Sequence, residues 1–156
     1  MPTVNPGPAV TQTLNTVDVL TPVNTTNNPA VQGSNALRLL ATYRDMPVSG
    51  LGDIALPVIN ATVWAPVSVA ITNSKLAGVS GSVATATLSV NAGPGVTGTS
   101  LRASAALTNN TAATAFITAA SATTNVAATS QTIYVNVTVA VATGTVDIFI
   151  YGYDLS

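Results

Sequence analysis

Two stretches near the C-terminus alternate between apolar and other residues, and this period of two constrains the fold more than any other feature. In residues 132–141 the apolar side consists of Ile133, Val135, Val137, Val139 and Val141. In residues 144–153 one side holds Val146, Ile148 and Ile150, and the other holds Asp147, Phe149, Tyr151 and Tyr153. Successive side chains of a strand point to opposite faces, so each stretch predicts a half-buried strand. A short Gly-containing loop separates the two stretches, so we expect them to form a β-hairpin.

Weaker alternation predicts further strands earlier in the chain. They cover residues 35–43, 62–72, 83–90, 101–107 and 113–119, with a turn at 91–95. Pro66 within the second of these indicates an edge position or a bulge. Short strands spaced about ten residues apart are typical of a β-sandwich or a barrel. One short helix between residues 102 and 122 is the alternative for the Ala-rich part.

Residues 1–34 differ from the rest because they contain five prolines among many Asn and Thr residues. Proline fixes φ and lacks a backbone donor, so we expect an extended N-terminal arm that precedes a β-domain at 35–156. Two alternatives stay open for this arm: a disordered tail, or a segment that orders on a neighbouring molecule. The second is favoured by its apolar residues, which include Val10, Leu14, Val17 and Leu20.

The composition excludes most chemistry before any motif is sought. The chain has four basic and five acidic residues, no His and no Cys, and its net charge is −1. A nucleic-acid partner usually requires a basic patch, and membrane attraction requires a polybasic one, so we expect neither partner. The apolar window 54–71 contains two prolines, which favours strands and turns over a membrane span. A nearly neutral surface is tolerable when copies or a partner cover it.

No arrangement of side chains predicts catalysis. Without His, Lys75 beside Ser74 is one of the few possible bases for a nucleophile, and the sequence favours a solvated turn lysine instead. The five aspartates are scattered, and Asp147 is expected either to lie near a hairpin end or to pair with Arg38, Arg44 or Arg102. Asp-rich metal loops are absent from the sequence. We therefore expect a protein that is not an enzyme, with no catalytic residue, metal or cofactor.

The aromatic row Phe149, Tyr151 and Tyr153, with Trp64 as a further candidate, is the concentrated recognition feature of the sequence. Aromatic rings stack on sugars or anchor protein interfaces. A second buried face or a subunit contact is the favoured interpretation, and a sugar platform is the alternative.

Two segments resemble the head decoration (cement) proteins of tailed bacteriophages. Residues 67–74, Val-Ser-Val-Ala-Ile-Thr-Asn-Ser, are similar to their first core strand and "TN" turn. The closing strands, 133–138 and 144–155, look like their ending, including Tyr151-Gly152-Tyr153-Asp154-Leu155. The likeness covers about residues 62–156, and the Pro-rich region before Asn35 departs from the shorter members.

This resemblance implies a single jelly-roll-like β-sandwich that binds the outside of an assembled capsid. The implied partners are the major capsid protein and further copies of the chain, as a homotrimer or alternatively a dimer. The implied location is the virion exterior, after synthesis in the host cytoplasm. On this interpretation the capsid or subunit interface includes Val10, Leu14, Val17, Leu20, Trp64, Phe149, Tyr151 and Tyr153. The alternative is a carbohydrate-binding or adhesin-like β-module of a phage or bacterial surface.

Overall fold

The structure is a computed structural model that describes residues 37–59, 61–112, 117–119 and 127–156. Nine strands account for most of these residues. They are β1 (Leu37–Pro47), β2 (Gly52–Pro57), β3 (Trp64–Leu76), β4 (Val79–Ser80), β5 (Thr87–Gly93), β6 (Thr97–Ala106), β7 (Ile117–Ala119), β8 (Thr132–Val139) and β9 (Gly144–Asp154). A single short 3₁₀ turn, Pro94–Val96, joins β5 to β6. The described part of the chain is therefore all-β.

The strands form two antiparallel sheets in jelly-roll order. One sheet runs β1-β9-β3, with β4 and β7 both pairing with β3, and the other runs β2-β8-β5-β6. Four pairings are nested: β1 with β9, β2 with β8, β3 with β7, and β5 with β6. The β3–β9 and β5–β8 pairings then wrap this nested ribbon into two layers. This double-sheet arrangement confirms the predicted jelly-roll-like sandwich.

One apolar core lies between the sheets. The four-stranded sheet contributes Leu88 and Val90 from β5 and Ile133, Val135 and Val137 from β8, and the five-stranded sheet contributes Val69, Ile71, Val146, Ile148 and Ile150. All of these side chains are buried. Removing such apolar surface from water supplies about 25 cal/mol per Å², which is the main favourable contribution to folding.

The predicted hairpin between residues 132–141 and 144–153 is wrong in its pairing. Both strands exist close to the predicted bounds, but β8 belongs to the four-stranded sheet and β9 to the five-stranded sheet. The connection after β8 crosses between the layers and is held by Val48, whose N–H donates to Gly144 O and whose carbonyl accepts from Val141 N–H, both at 2.9 Å. Two apolar strand faces pack equally well side by side or across a core, so alternation alone does not identify the partner.

A bulge in β3 changes the predicted facing of residues 62–72. The register against β9 shifts between Pro66 and Ser68, as Pro66 indicated. Before the shift Trp64 and Pro66 are buried, and after it Val69 and Ile71 are buried. Alternation would have placed Val63 and Ala65 inward with Val69, and the extra residue of the bulge reverses this.

Between residues 97 and 119 the described residues are strands, and the predicted bounds change. The strand expected at 101–107 is longer, because β6 begins at Thr97. The alternative of a short helix between residues 102 and 122 is not found in the described part of that range. Of the strand expected at 113–119, the structure describes the backbone of Ile117–Ala119 as β7. The arm at 1–34 lies outside the described residues. No helix in the described ranges is long and apolar enough to cross a membrane.

Gly152 is required by the close packing of β9 against its neighbours. A Cβ atom at this position would lie 2.3 Å from Ala65 O and 2.5 Å from Leu40 Cδ1. Ala65 O belongs to the ladder between β3 and β9, so it has little freedom to move away. Leu40 is buried because a register shift between Leu39 and Ala41 turns it inward.

We predict that Gly152→Ala destabilises the protein by about 1–3 kcal/mol, because overpacking forces strands apart in a dense core. Gly50→Ala is the matched control, since a Cβ there meets nothing within 4 Å. Urea unfolding of the two variants measures the difference. Equal midpoints for both variants would contradict the packing described here.

Candidate functional site

The aromatic residues of β9 lie on the outer face of the five-stranded sheet, in the centre of three cross-strand rows. Phe149 lies between Thr42 of β1 and Ala70 of β3, Tyr151 between Leu39 and Ser68, and Tyr153 between Leu37 and Ala65. The two tyrosines are thus flanked by leucines on one side, and all three rings are flanked by small residues on the other. The difference in size leaves a step in the surface beside the rings, above β3.

One end of this face is apolar and exposed. Leu37 is 57% exposed, Tyr153 is 43% exposed, and Leu155 is 41% exposed. Leu155 continues the alternation past Asp154, and its N–H donates to Val63 O at 2.7 Å. We call Leu37, Leu39, Tyr151, Tyr153 and Leu155 the aromatic patch. Soluble proteins rarely leave such groups clustered unless something binds them.

A cation limits the patch at its other end. The guanidinium carbon of Arg44 lies 5.6 Å from the ring centroid of Phe149, within the range of a cation–π contact. Arg38 and Asp154, which are next to Leu37 and Tyr153 in sequence, pair with each other at 3.5 Å. The alternation along β1 and β9 points both of these side chains away from the face that carries Leu37 and Tyr153, so of these charges only Arg44 lies on the face of the patch.

The structure separates the residues that the sequence grouped as an interface. Phe149 and Tyr151 are half-buried and Tyr153 is exposed on one outer face. Trp64 does not join them: it is fully buried, and its indole N–H donates to Ser130 O at 2.9 Å. The bulge in β3 places it in the core, which corrects its assignment to a contact surface. Four further interface candidates, Val10, Leu14, Val17 and Leu20, lie outside the described residues.

Sequence reasoning missed Leu37, Leu39 and Leu155. The alternating pattern already indicated Leu155, because it is two residues beyond Tyr153, which is itself two residues beyond Tyr151. The leucines of β1 were ambiguous, since both Leu40 and Ala41 turn inward at the register shift. Their pairing opposite tyrosines becomes visible only once β1 is known to lie beside β9.

A polar cluster holds the far end of the same face together around Asp147. This buried carboxylate accepts from Asp45 N–H through Oδ1 at 2.8 Å and from Asn73 Nδ2 through Oδ2 at 3.0 Å. Asp45 and Asn73 both have left-handed φ, at 53° and 55°, within register shifts on either side of β9. The alternative in which Asp147 pairs with an arginine is wrong, because its two oxygens accept from donors that these two bulges supply.

Lys75 takes part in this cluster and not in a pair with Ser74. Its Nζ lies 2.6 Å from Asp45 Oδ1. The Ser74 hydroxyl is buried and has no hydrogen-bond partner among the described groups. Two aspartates that looked scattered in the sequence, Asp45 and Asp147, are neighbours here. Within the described ranges, no group of three acidic, His or Cys side chains is placed to hold a metal ion.

The outer face of the other sheet is polar. Asp53 accepts from Asn136 Nδ2 at 2.7 Å and from Gly95 N–H at 2.8 Å, which holds the Pro94–Val96 turn over β2 and β8. Arg102 of β6 is buried and donates to the carbonyls of Leu88, Ala105 and Ala106. Burial lowers the pKa of Arg102 from its ordinary value. These contacts lie at a shift in the β5–β6 register. Among the described residues of this face, no apolar cluster is comparable to the aromatic patch.

A second apolar cluster lies at one end of the sandwich. Leu51 is 72% exposed, Val79 is 68% exposed and Val139 is 47% exposed. The strand pairings bring them to the same end. Leu51 precedes Gly52, which pairs with Val137 near Val139, while Val79 pairs with Leu76, and Leu76 pairs with Gly144. We call these three residues the apolar end. It lacks aromatic rings.

Comparison of the chain with family models, curated proteins and solved structures found no match.

We predict that Asp147→Asn destabilises the protein by about 1–3 kcal/mol, because an amide group would turn one donor toward the donors of Asn73 or Asp45. Asp53→Asn is the control, because Asp53 accepts a similar pair of hydrogen bonds but is exposed. Chemical unfolding at neutral pH compares them. Equal losses in both variants would show that burial of Asp147 carries no extra cost.

Acid stability provides a second prediction. The Ser156 hydroxyl, at 2.5 Å from Oδ1, lowers the pKa of Asp154, and the Ser156 N–H and Arg38 act in the same direction. A lowered folded-state pKa stabilises the protein fully above the unfolded value of about 3.9, and this stabilisation disappears as the pH falls through the folded value. Ser156→Ala should therefore be less stable than the parent at pH 7, and this difference should shrink as the pH falls below about 3.9. A constant difference across this range would contradict the assignment.

Proposed function

We propose that this protein is a structural virion protein that binds the outer surface of a phage capsid and stabilises the shell. The observation that carries the proposal is the aromatic patch, an exposed apolar surface on a sandwich with very few charges. Jelly rolls recur in viral capsid and lectin domains, so the fold is compatible with this role without being specific for it. The resemblance of residues 62–156 to phage decoration proteins selects the capsid among the possible partners.

The proposed mechanism is stabilisation by preferential binding. A protein that binds the assembled shell but not its separate subunits shifts the equilibrium toward the shell by mass action. The patch supplies a surface for a subunit or capsid contact, because Tyr side chains bury large areas at low entropic cost and also offer a hydroxyl. Its central rings, flanked by leucines, have the composition of interface anchors.

The partners in this proposal are the major capsid protein and further copies of the chain, as a homotrimer or a dimer. Residues 1–34 would lie across neighbouring capsid subunits and make extended contacts. The place of action would be the exterior of the virion, after synthesis in the host cytoplasm. Neither catalysis nor a cofactor has a part in this mechanism.

A second candidate function is carbohydrate binding, as in an adhesin-like module. The specific observation in its favour is that Tyr151 and Tyr153 lie on an outer face rather than between the sheets. Alternate residues of a strand are about 6.8 Å apart, which allows successive rings to contact successive sugar units. The step above Ser68 and Ala65 would leave room beside the rings.

We predict that deletion of residues 1–34 leaves a folded domain that binds capsids at least tenfold more weakly. The deletion keeps all nine strands, which begin at Leu37, together with the apolar core between the two sheets. Co-sedimentation with capsids that lack the protein measures the affinity, and circular dichroism confirms the fold. Undiminished binding by the truncated chain would remove the arm from the mechanism.

The two candidate functions give different results in a paired experiment. If the capsid function is correct, Tyr153→Ser weakens co-sedimentation with capsids, while Leu51→Ser, at the apolar end, leaves it unchanged. Neither variant then differs from the parent on a glycan array. Glycan binding that is lost with Tyr153→Ser, together with no capsid binding by the parent, would replace the capsid proposal with the carbohydrate one.

A further inference from the structure

The aromatic patch lies where the N-terminal residues join the domain. Leu37 is both the first described residue and a member of the patch, and it pairs directly with Tyr153. The 36 residues that precede it therefore start from the edge of the patch. The apolar end, in contrast, is formed by the β1–β2 loop, β4 and the end of β8, none of which adjoins this entry point.

We propose that the chain's own segment 10–20 packs on the aromatic patch of the same molecule in the free protein. The segment contains Val10, Leu14, Val17 and Leu20, and its single charge is that of Asp18. This chemistry matches a surface on which Arg44, at one end, already contacts the Phe149 ring. Five of its eleven residues are apolar and the others are Thr, Gln, Asn and Asp18, so contact through the apolar side chains alone need not bury a polar group.

The length of the connection permits this contact. From Leu20 to Leu37 the chain can span up to about 60 Å, at 3.3–3.6 Å per residue. The patch extends only about 14 Å along β9, from Tyr151 to Leu155, at 3.4 Å per residue. A tethered segment also has an effective concentration in the millimolar range, so even a weak site is occupied in the same molecule.

The step beside the tyrosines offers a place for the segment. Ala65 and Ser68 of β3 lie next to Tyr153 and Tyr151 in the cross-strand rows, and their small side chains leave the rings standing above the sheet. Apolar side chains of the segment would contact the ring faces from this side. The contact proposed for the free protein does not depend on the proposed capsid function.

Disulfide trapping tests the proposal, because the chain contains no cysteine of its own. Leu14→Cys combined with Leu37→Cys should form an intramolecular disulfide at least tenfold faster than Leu14→Cys combined with Leu51→Cys. Both target positions are well exposed, so accessibility does not favour the first pair. Equal rates for the two pairs, or disulfides that join two molecules at low protein concentration, would overturn the proposal.

A binding measurement without engineered cysteines gives an independent test. A labelled peptide of residues 9–23 should bind the chain lacking residues 1–34, and Tyr153→Ser in that chain should weaken binding at least tenfold while Leu51→Ser has no effect. The full-length chain should bind the peptide at least tenfold more weakly, because its own segment competes. Equal binding to the full-length and truncated chains, or no binding to the truncated chain, would contradict the proposal.

Discussion

The packing of β8 against β9 across the core is the contact on which the rest of the structure depends. The chain crosses between the layers within residues 140–143, so the apolar face of Ile133, Val135 and Val137 meets Ile148 and Ile150 from the opposite sheet. Because β9 is the central strand between β1 and β3, this crossing also fixes the outward direction of its aromatic residues. The burial of one face of β9 thus determines the exposure of the other.

The geometry of the edge strands in this protein hinders their pairing with other chains. The chain has few charges that could serve this purpose. Natural edge strands avoid pairing with other chains through charge, proline, bulges or short length. Here β1 carries two register shifts, β6 is irregular against β5 and is held by Arg102, and β4 and the described part of β7 are very short. The remaining edge strand, β2, pairs regularly with β8 but has only six residues and ends at Pro57. With its edges interrupted in this way, the protein is better suited to contacts through a face, and the aromatic patch is the apolar face that it offers.

Much of this fold could be predicted from the sequence, and the failures have a common cause. The alternation of β8 and β9 correctly predicted two half-buried strands, although Val139 on the apolar side of β8 is exposed and Asp147 on the aromatic side of β9 is buried. It could not indicate that the two strands belong to different sheets, nor that Trp64 turns inward at a bulge next to Pro66. Likewise, Asp147 finds Asn73 and the backbone of Asp45 because two left-handed residues flank the same strand. Such partners depend on register, which a local pattern does not encode.

In the proposed function the aromatic patch is a contact surface, whereas the apolar end is not. Hydroxyl-radical footprinting of the protein within native particles, compared with the isolated chain lacking residues 1–34, tests this claim most directly. We predict that Tyr151, Tyr153 and Leu155 are protected from oxidation in the particle and that Leu51 and Val79 react equally in both states. Protection of the apolar end with an unprotected patch would contradict it.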